Sequence, residues 1–259
     1  MLADKMKETI FLILSIGALL YIGLGVFLYF AQRSFLYQPT PEIDSADTRE
    51  IRVQSADVSL KIWQFNPELS KAIIYFGGNA ENVYWNIPEF KAIFPDYTVY
   101  LVNYRGYGGS SGSPSETGLL EDAVSIFDRL QPNHESISVI GRSLGTGVAT
   151  YLASVRQVEK MVLVTPFDSI VNIAKRGYPI FPVSLFLKDR FDSASRAASV
   201  KSDTLVLIAE HDEIILRENS DRLISAFRSS NVLVEIIEDA THNSIGSAPR
   251  YTKLLNDFL

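Results

Sequence analysis

Apolar and polar positions divide this chain into an apolar leader and a longer part in which short apolar runs alternate with amphipathic segments. The runs fall at residues 72–76, 98–102, 137–140, 161–164, 204–209 and 232–237. They are rich in β-branched and aromatic side chains and apolar at almost every position. That pattern suits strands buried on both faces of a mostly parallel sheet. Upstream, residues 51–53 and 59–65 alternate as an opening hairpin would. Helices are expected over 83–93, 144–155, 218–228 and 248–258. Ser113-Pro114-Ser115-Glu116 reads as a capping box with proline at the first helical position. It would open an amphipathic helix through Leu119, Val124, Phe127 and Leu130. Alternation at this spacing predicts an α/β fold, with a mostly parallel central sheet and helices on both faces.

In the leader, residues 10–31 carry no charge over 22 positions. A helix of that length rises roughly 33 Å, enough to cross a bilayer core. Tyr29, Phe30, Phe35 and Tyr37 suit an interfacial belt. A cleaved signal peptide would have a shorter apolar core and a small-x-small cleavage site, and Tyr29-Phe30-Ala31-Gln32-Arg33 is a poor one. The sequence therefore predicts a single-pass membrane anchor over residues 1–32 and a catalytic domain over 33–259. Lys5 and Lys7 outweigh Arg33, which places the N-terminus in the cytoplasm and the domain on the extracytoplasmic side.

One segment breaks the strand–helix alternation. Residues 169–201 are longer than a crossover helix needs and read as a small lid beside the active site, with an ordinary helix and ornamented loop as the alternative. They carry six Lys/Arg against two acids, Asp189 and Asp192, in a chain of net charge −6. A basic, apolar patch on an acidic protein suits a membrane surface or an anionic acyl substrate. The net acidity and the absence of a long Lys/Arg run exclude nonspecific nucleic-acid binding. The chain has no cysteine, so disulfides and thiolate metal sites are ruled out. Three histidines, His134, His211 and His242, are too few for a His-rich metal site.

The chemistry centres on Gly141-Arg142-Ser143-Leu144-Gly145, directly after a buried run and before a helix-like stretch. In that context Gly-x-Ser-x-Gly is a nucleophile elbow, with Ser143 on a strained turn and Gly141 and Gly145 allowing strand and helix to approach closely. A serine hydroxyl needs a general base, and the base needs an orienting carboxylate. The expected chain order is Ser, Asp/Glu, His, at the carboxyl ends of strands. Asp212 follows run 204–209, and His242 follows run 232–237. His134 would lie at the wrong end of its strand, and His211 abuts the acid. Asp168 is a rival for the acid, with a role as helix N-cap before Ser169 as its other reading. An oxyanion needs two backbone N–H donors. Leu144 is expected to supply one. Asn79, in Phe76-Gly77-Gly78-Asn79-Ala80 after the third strand, is expected to supply the other. The glycine-rich stretch 105–112 lacks the Gly-Lys-Ser/Thr ending of a phosphate loop and reads as the loop after the fourth strand.

With these residues in place, the chain resembles the α/β-hydrolase superfamily over about residues 33–259, especially members with a leading membrane helix. The matching segments are Phe-Gly-Gly-Asn-Ala (76–80), Asn-Tyr-Arg-Gly-Tyr-Gly (103–108), Gly-Arg-Ser-Leu-Gly (141–145), Glu-His-Asp-Glu (210–213) and Thr-His-Asn (241–243). Such members include lysophospholipase-like and monoacylglycerol-lipase-like enzymes, acyl-protein thioesterases and serine aminopeptidase-like proteins. In many of them the oxyanion loop begins His-Gly; here Gly77 stands at the histidine's place. The resemblance implies an α/β-hydrolase fold and a Ser143–His242–Asp212 triad. The implied substrate is an ester or thioester of acyl-lipid type, with the bilayer as a partner and no cofactor or metal. A peptidase of the same fold would need to recognise a free amino group, and a non-catalytic binding protein would not need the complete Ser/Asp/His set.

Overall fold

The computed structural model describes residues 2–228 and 231–259. Eight strands form one sheet: β1 (Arg49–Ser55), β2 (Val58–Phe65), β3 (Lys71–Phe76), β4 (Thr98–Val102), β5 (Ser136–Arg142), β6 (Lys160–Val164), β7 (Asp203–His211) and β8 (Val232–Thr241). Their order is β1-β2-β4-β3-β5-β6-β7-β8. β2 runs antiparallel to β1 and β4, and every pair from β4 to β8 is parallel. Every apolar run read from the sequence lies in one of the strands β3 to β8.

The helices are α1 (Leu2–Leu36), α2 (Ile87–Ile93), α3 (Glu116–Leu130), α4 (Leu144–Val155), α5 (Ile170–Gly177), α6 (Val183–Phe186), α7 (Ser193–Ala197), α8 (Arg217–Ala226) and α9 (Pro249–Phe258). Successive strand residues feed opposite faces of the sheet. Ile74, Phe76, Val139 and Leu163 pack with Ile126 of α3 and Val148 and Leu152 of α4. Ile73, Tyr75, Ile140 and Val162 pack on the other face with Phe90 of α2 and Tyr251 and Leu255 of α9. The expected helices on both faces are present.

Two local readings change. The stretch 83–93 is a 3₁₀ turn over Val83–Asn86 followed by α2, with Pro88 in the helix's first turn. The cap of α3 is Ser115, whose side chain accepts from Gly118 N at 3.1 Å, and not Ser113. Glu116 cannot close a capping box there. Its carboxylate accepts instead from Arg196 (2.7 Å) and from the Arg190 backbone N–H (2.6 Å) in the lid.

The leader is one continuous helix that runs past residue 32 to Leu36. It is the one helix among the described residues long and apolar enough to cross a membrane, with mean hydropathy 2.5 over its most apolar window. Residues 169–201, read above as a lid, form α5, α6 and α7, with their middle part along α1. Arg33 Nε and Nη2 donate to the Asp189 carboxylate at 2.7 and 3.2 Å, and Glu116 N donates to the same group at 3.0 Å. One buried carboxylate thus joins the leader, the lid and the start of α3.

This junction is asymmetric, because the Arg33 side chain is half exposed and that of Asp189 is 4% exposed. Removing the buried acid leaves an arginine that reaches water, whereas removing the arginine strands a buried charge. Arg33→Ala should therefore destabilise the chain by about 3 kcal/mol and Asp189→Ala by about 1–2 kcal/mol. Thermal unfolding of the full chain in nanodiscs would check the order: equal shifts, or a larger one for Asp189→Ala, would contradict it.

Candidate active site

The sheet order reverses at β3, whose neighbours are β4 on one side and β5 on the other. Such a switch point opens a crevice at the carboxyl ends of the strands. The register pairs Phe76 with Gly141, so the loop after β3 and the turn after β5 begin side by side. Ser143 sits in that turn with φ 48° and ψ −115°, a conformation that costs an L-residue about 1–3 kcal/mol. The surrounding packing enforces it. A methyl group on Gly145 would lie 2.0 Å from the Phe76 carbonyl oxygen, and one on Gly141 would lie 2.4 Å from the Gly145 oxygen. Ser143 N donates to Val164 O at 2.9 Å, which ties the elbow to β6.

Three of the residues selected from the sequence meet here. Ser143 Oγ lies 3.0 Å from His242 Nε2, and His242 Nδ1 lies 2.8 and 3.0 Å from the two Asp212 oxygens. With Nδ1–H donating to the carboxylate, Nε2 is left to accept from the serine hydroxyl. Asp212 Oδ1 also accepts from the backbone N–H groups of Ile214 (2.9 Å) and Ile215 (2.7 Å), which fix its orientation. The His242 and Asp212 side chains are almost fully buried. The other two histidines lie elsewhere. His134 bonds Tyr100 Oη and the Leu69 carbonyl at the amino ends of the strands, and His211 is exposed beside Glu210. Glu210, His211 and Asp239 bring ligand-type atoms within 4.8 Å of one another on the surface. Asp239 N already donates to Glu210 there.

Asp168 is used structurally. The N-cap of α5 is Ser169 itself, so the reading of Asp168 as cap does not hold. The Asp168 carboxylate accepts from Arg222 Nε (2.7 Å), Asn219 Nδ2 (2.8 Å) and Asn172 Nδ2. Burial alone would raise its pKa, but the hydrogen bonds from Arg222, Asn219 and Asn172 outweigh it and hold the group below the usual carboxylate value.

The loop after β3 carries the second expected donor. Gly78 lies against Ser143: a methyl on it would be 3.6 Å from Ser143 Cβ. The Gly78 N–H is already taken by Glu81 Oε2 at 2.6 Å. Among the described residues the backbone N–H of Asn79 and that of Leu144 have no backbone partner outside the helix and strand ladders. The Asn79 side chain works in another direction. Its Nδ2 donates to Leu36 O (2.7 Å), and its Oδ1 accepts from Gln38 N (3.0 Å) and Tyr107 Oη (2.9 Å). The glycine-rich loop thus packs beside the site through Tyr107. Its Arg105 pairs with Asp122 at 2.8 and 2.7 Å and holds no phosphate-binding geometry open.

Sequence reasoning missed the pair beneath this loop. Glu81 accepts from Tyr75 Oη (2.6 Å), Asn86 Nδ2 (2.5 Å), Gly78 N and Arg142 Nη1 (3.0 Å). Arg142 Nη2 donates to the His242 carbonyl at 3.3 Å. Burial disfavours the guanidinium charge, and Glu81 outweighs that, so the Arg142 pKa is raised. One ion pair therefore ties together the loop after β3, the elbow and the histidine loop. An acid just past the Gly-Gly turn and an arginine just before the serine were the available signal.

Two expectations follow. Glu81→Gln should lower the kcat of a reaction at Ser143 roughly tenfold to a hundredfold, with KM within a few-fold and the circular dichroism unchanged. A residue that only supports the fold would lower Tm and leave kcat alone. For Asp168, a depressed folded pKa means that its stabilisation is full above the unfolded value near pH 4 and is lost as pH falls through the folded value. Asp168→Asn should therefore cost about 2 kcal/mol at pH 7 and progressively less below about pH 4. Urea unfolding of both proteins at neutral and acid pH measures the difference, and a gap that widens on acidification would refute the assignment.

Known proteins share this architecture. The sequence profile described as alpha/beta hydrolase fold matches residues 71–182. An uncharacterized protein of Mycobacterium tuberculosis is 32% identical over 230 residues, covering 83% of this chain and 82% of the relative. An uncharacterized membrane protein of Saccharomyces cerevisiae is 27% identical over 235 residues, covering 84% and 83%. Among solved structures, an esterase of Pyrococcus furiosus superposes with a TM-score of 0.70 at 21% identity, covering 86% of this chain and 98% of that one, a likeness of fold. By its sheet order, its elbow and its similarity to these proteins, the chain belongs to the alpha/beta hydrolase family.

Proposed function

We propose that the protein is a serine hydrolase that cleaves ester or thioester bonds of acyl-lipid-like substrates through an acyl-enzyme. The carrying observation is the hydrogen-bonded chain Ser143–His242–Asp212, with Ser143 on a strained elbow. In this reading His242 takes the Ser143 proton as the oxygen attacks the carbonyl carbon, and Asp212 holds the imidazole in the tautomer that can accept it. The oxyanion forms between the Leu144 and Asn79 amides, which among the described residues have no backbone partner outside the helix and strand ladders. His242 then returns the proton to the departing alcohol or thiol. Water repeats the sequence on the acyl-enzyme and frees the acid. The fold of the Pyrococcus esterase and the apolar leader both favour this class over others.

The lid argues against recognition of a free amino group. Its two acids are engaged, Asp189 by Arg33 and Asp192 by the Ser195 N–H at the start of α7. The leader would act as a single-pass anchor, and its flanking charges favour an extracytoplasmic domain.

Purified full-length protein should hydrolyse p-nitrophenyl esters and label with a fluorophosphonate. Ser143→Ala should abolish both. Asp212→Asn should lower kcat by about 10²–10⁴-fold with little change in Tm, whereas Asp168→Asn should retain kcat. Wild-type protein that neither labels nor turns over an ester would sink this reading.

A further inference from the structure

A chamber of about 960 Å³ lies between α1 and the lid, walled by Tyr21 to Leu36 on one side and by α5, α6 and their linker on the other. That is the upper end of the range for small-molecule sites. The wall of α1 rises about 22 Å from Tyr21 to Leu36. We propose that this chamber takes the acyl chain of a lipid ester directly from the membrane and delivers its carbonyl to Ser143; the inference rests on the hydrolase reading above.

The lining chemistry selects an apolar ligand. Several of its polar groups are already paired. Tyr21 Oη donates to Ile180 O (2.8 Å), Gln32 bonds Tyr29 O, Phe186 O and Lys188 N, and Arg176 Nη2 donates to Ile214 O. What remains is Ile173, Phe181, Phe186, Ile214 and the apolar face of the helix. A cavity of that kind holds water poorly and hydrocarbon well.

The chamber's location connects two solvents. Two of its lining residues, Leu36 and Glu213, bond the loops of the site. Leu36 holds the oxyanion loop through its carbonyl and Asn79 Nδ2, and Glu213 accepts from the His242 backbone N–H at 3.4 Å. Its outer wall is the helix able to cross a membrane, so hydrocarbon is the medium at that side. The lid adds exposed Ile180, Leu185 and Phe186 beside the helix. Lys188 lies over the Tyr29 and Phe30 rings, a place for a cation at the headgroup level. An acyl chain passing from bilayer to chamber exchanges one apolar medium for another, so it crosses without entering water. A short, water-soluble ester has no need of the route.

Gly25 is the position to close it. A methyl there would sit 3.5 Å from the Phe181 ring, in ordinary contact, and anything larger would project into the chamber. Leucine is also a better helix former than glycine, so the helix is not weakened. Ile173→Trp closes the chamber from the lid side. The assay uses full-length protein in phosphatidylcholine vesicles, with 4-methylumbelliferyl palmitate in the same bilayer and 4-methylumbelliferyl acetate in solution. Gly25→Leu and Ile173→Trp should each lower palmitate turnover at least about tenfold, with acetate turnover and fluorophosphonate labelling within about twofold of wild type. Palmitate turnover that is unchanged, or that falls only in step with acetate, would overturn the chamber while leaving the hydrolase reading intact. Absence of labelling in the wild type would bring down both.

Discussion

The site depends on one close approach: α4 meets the end of β3 so tightly that residue 145 has no room for a methyl group. The contact pulls the start of α4 onto the strand ends and leaves Ser143 as the residue that must turn the chain. The positive φ of Ser143 is the consequence, and its cost of about 1–3 kcal/mol is met by packing all around it. Because Phe76 is in register with Gly141, the same contact fixes where the next loop begins. The amide of Leu144 and the loop of Asn79 are then neighbours by construction.

Strain at the elbow needs support from below, and Glu81 and Arg142 supply it. Each is mostly buried, and each would be costly alone. Together they satisfy Gly78 N, Tyr75, Asn86 and the His242 carbonyl. The pair also has a selective effect on the amides above it. Glu81 occupies Gly78 N, so that amide is not open to a ligand at the turn. Tyr104 Oη donates to the Gly77 carbonyl at 2.8 Å and holds that end of the loop.

Much of this was readable from residues alone. Strands buried on both faces must be apolar at successive positions, so β3 to β8 appeared as runs whose spacing implied the fold. The order Ser143, Asp212, His242 was visible because each stands just past such a run. What escaped the reading depends on contacts between distant segments. The capping box read from Ser113 to Glu116 does not close, because Arg190 and Arg196 claim the Glu116 carboxylate and Ser115 caps the helix. Asp168 resembles a catalytic acid or a cap until Arg222 and Asn219, some fifty positions later, arrive at its oxygens. A Gly-Gly-Asn turn after a strand points to a backbone donor at Asn79 and says nothing of a side chain tied to Leu36. The leader's length and apolarity were plain, but not that its last turns would pack on the lid, since an all-round apolar helix has no pattern marking a protein-facing side.

That packing alters what the leader is. A tether would be joined to the domain by a flexible segment and touch little else. Here α1 runs unbroken to Leu36, bonds the segment 169–201 through Tyr21, Gln32 and Arg33, and ends on the loop after β3 through Leu36 and Asn79. Between Arg33 and Gln38 the chain passes from the Asp189 junction to the edge of the oxyanion loop, so no slack remains to let the helix tilt independently. The orientation of the helix and the placement of the loop are therefore a single geometric variable. Whatever medium surrounds α1 acts on the site through short covalent and hydrogen-bonded links, and a chain beginning at residue 39 would keep the elbow, the histidine and the acid but lose the bonds of Leu36 O and Gln38 N to Asn79.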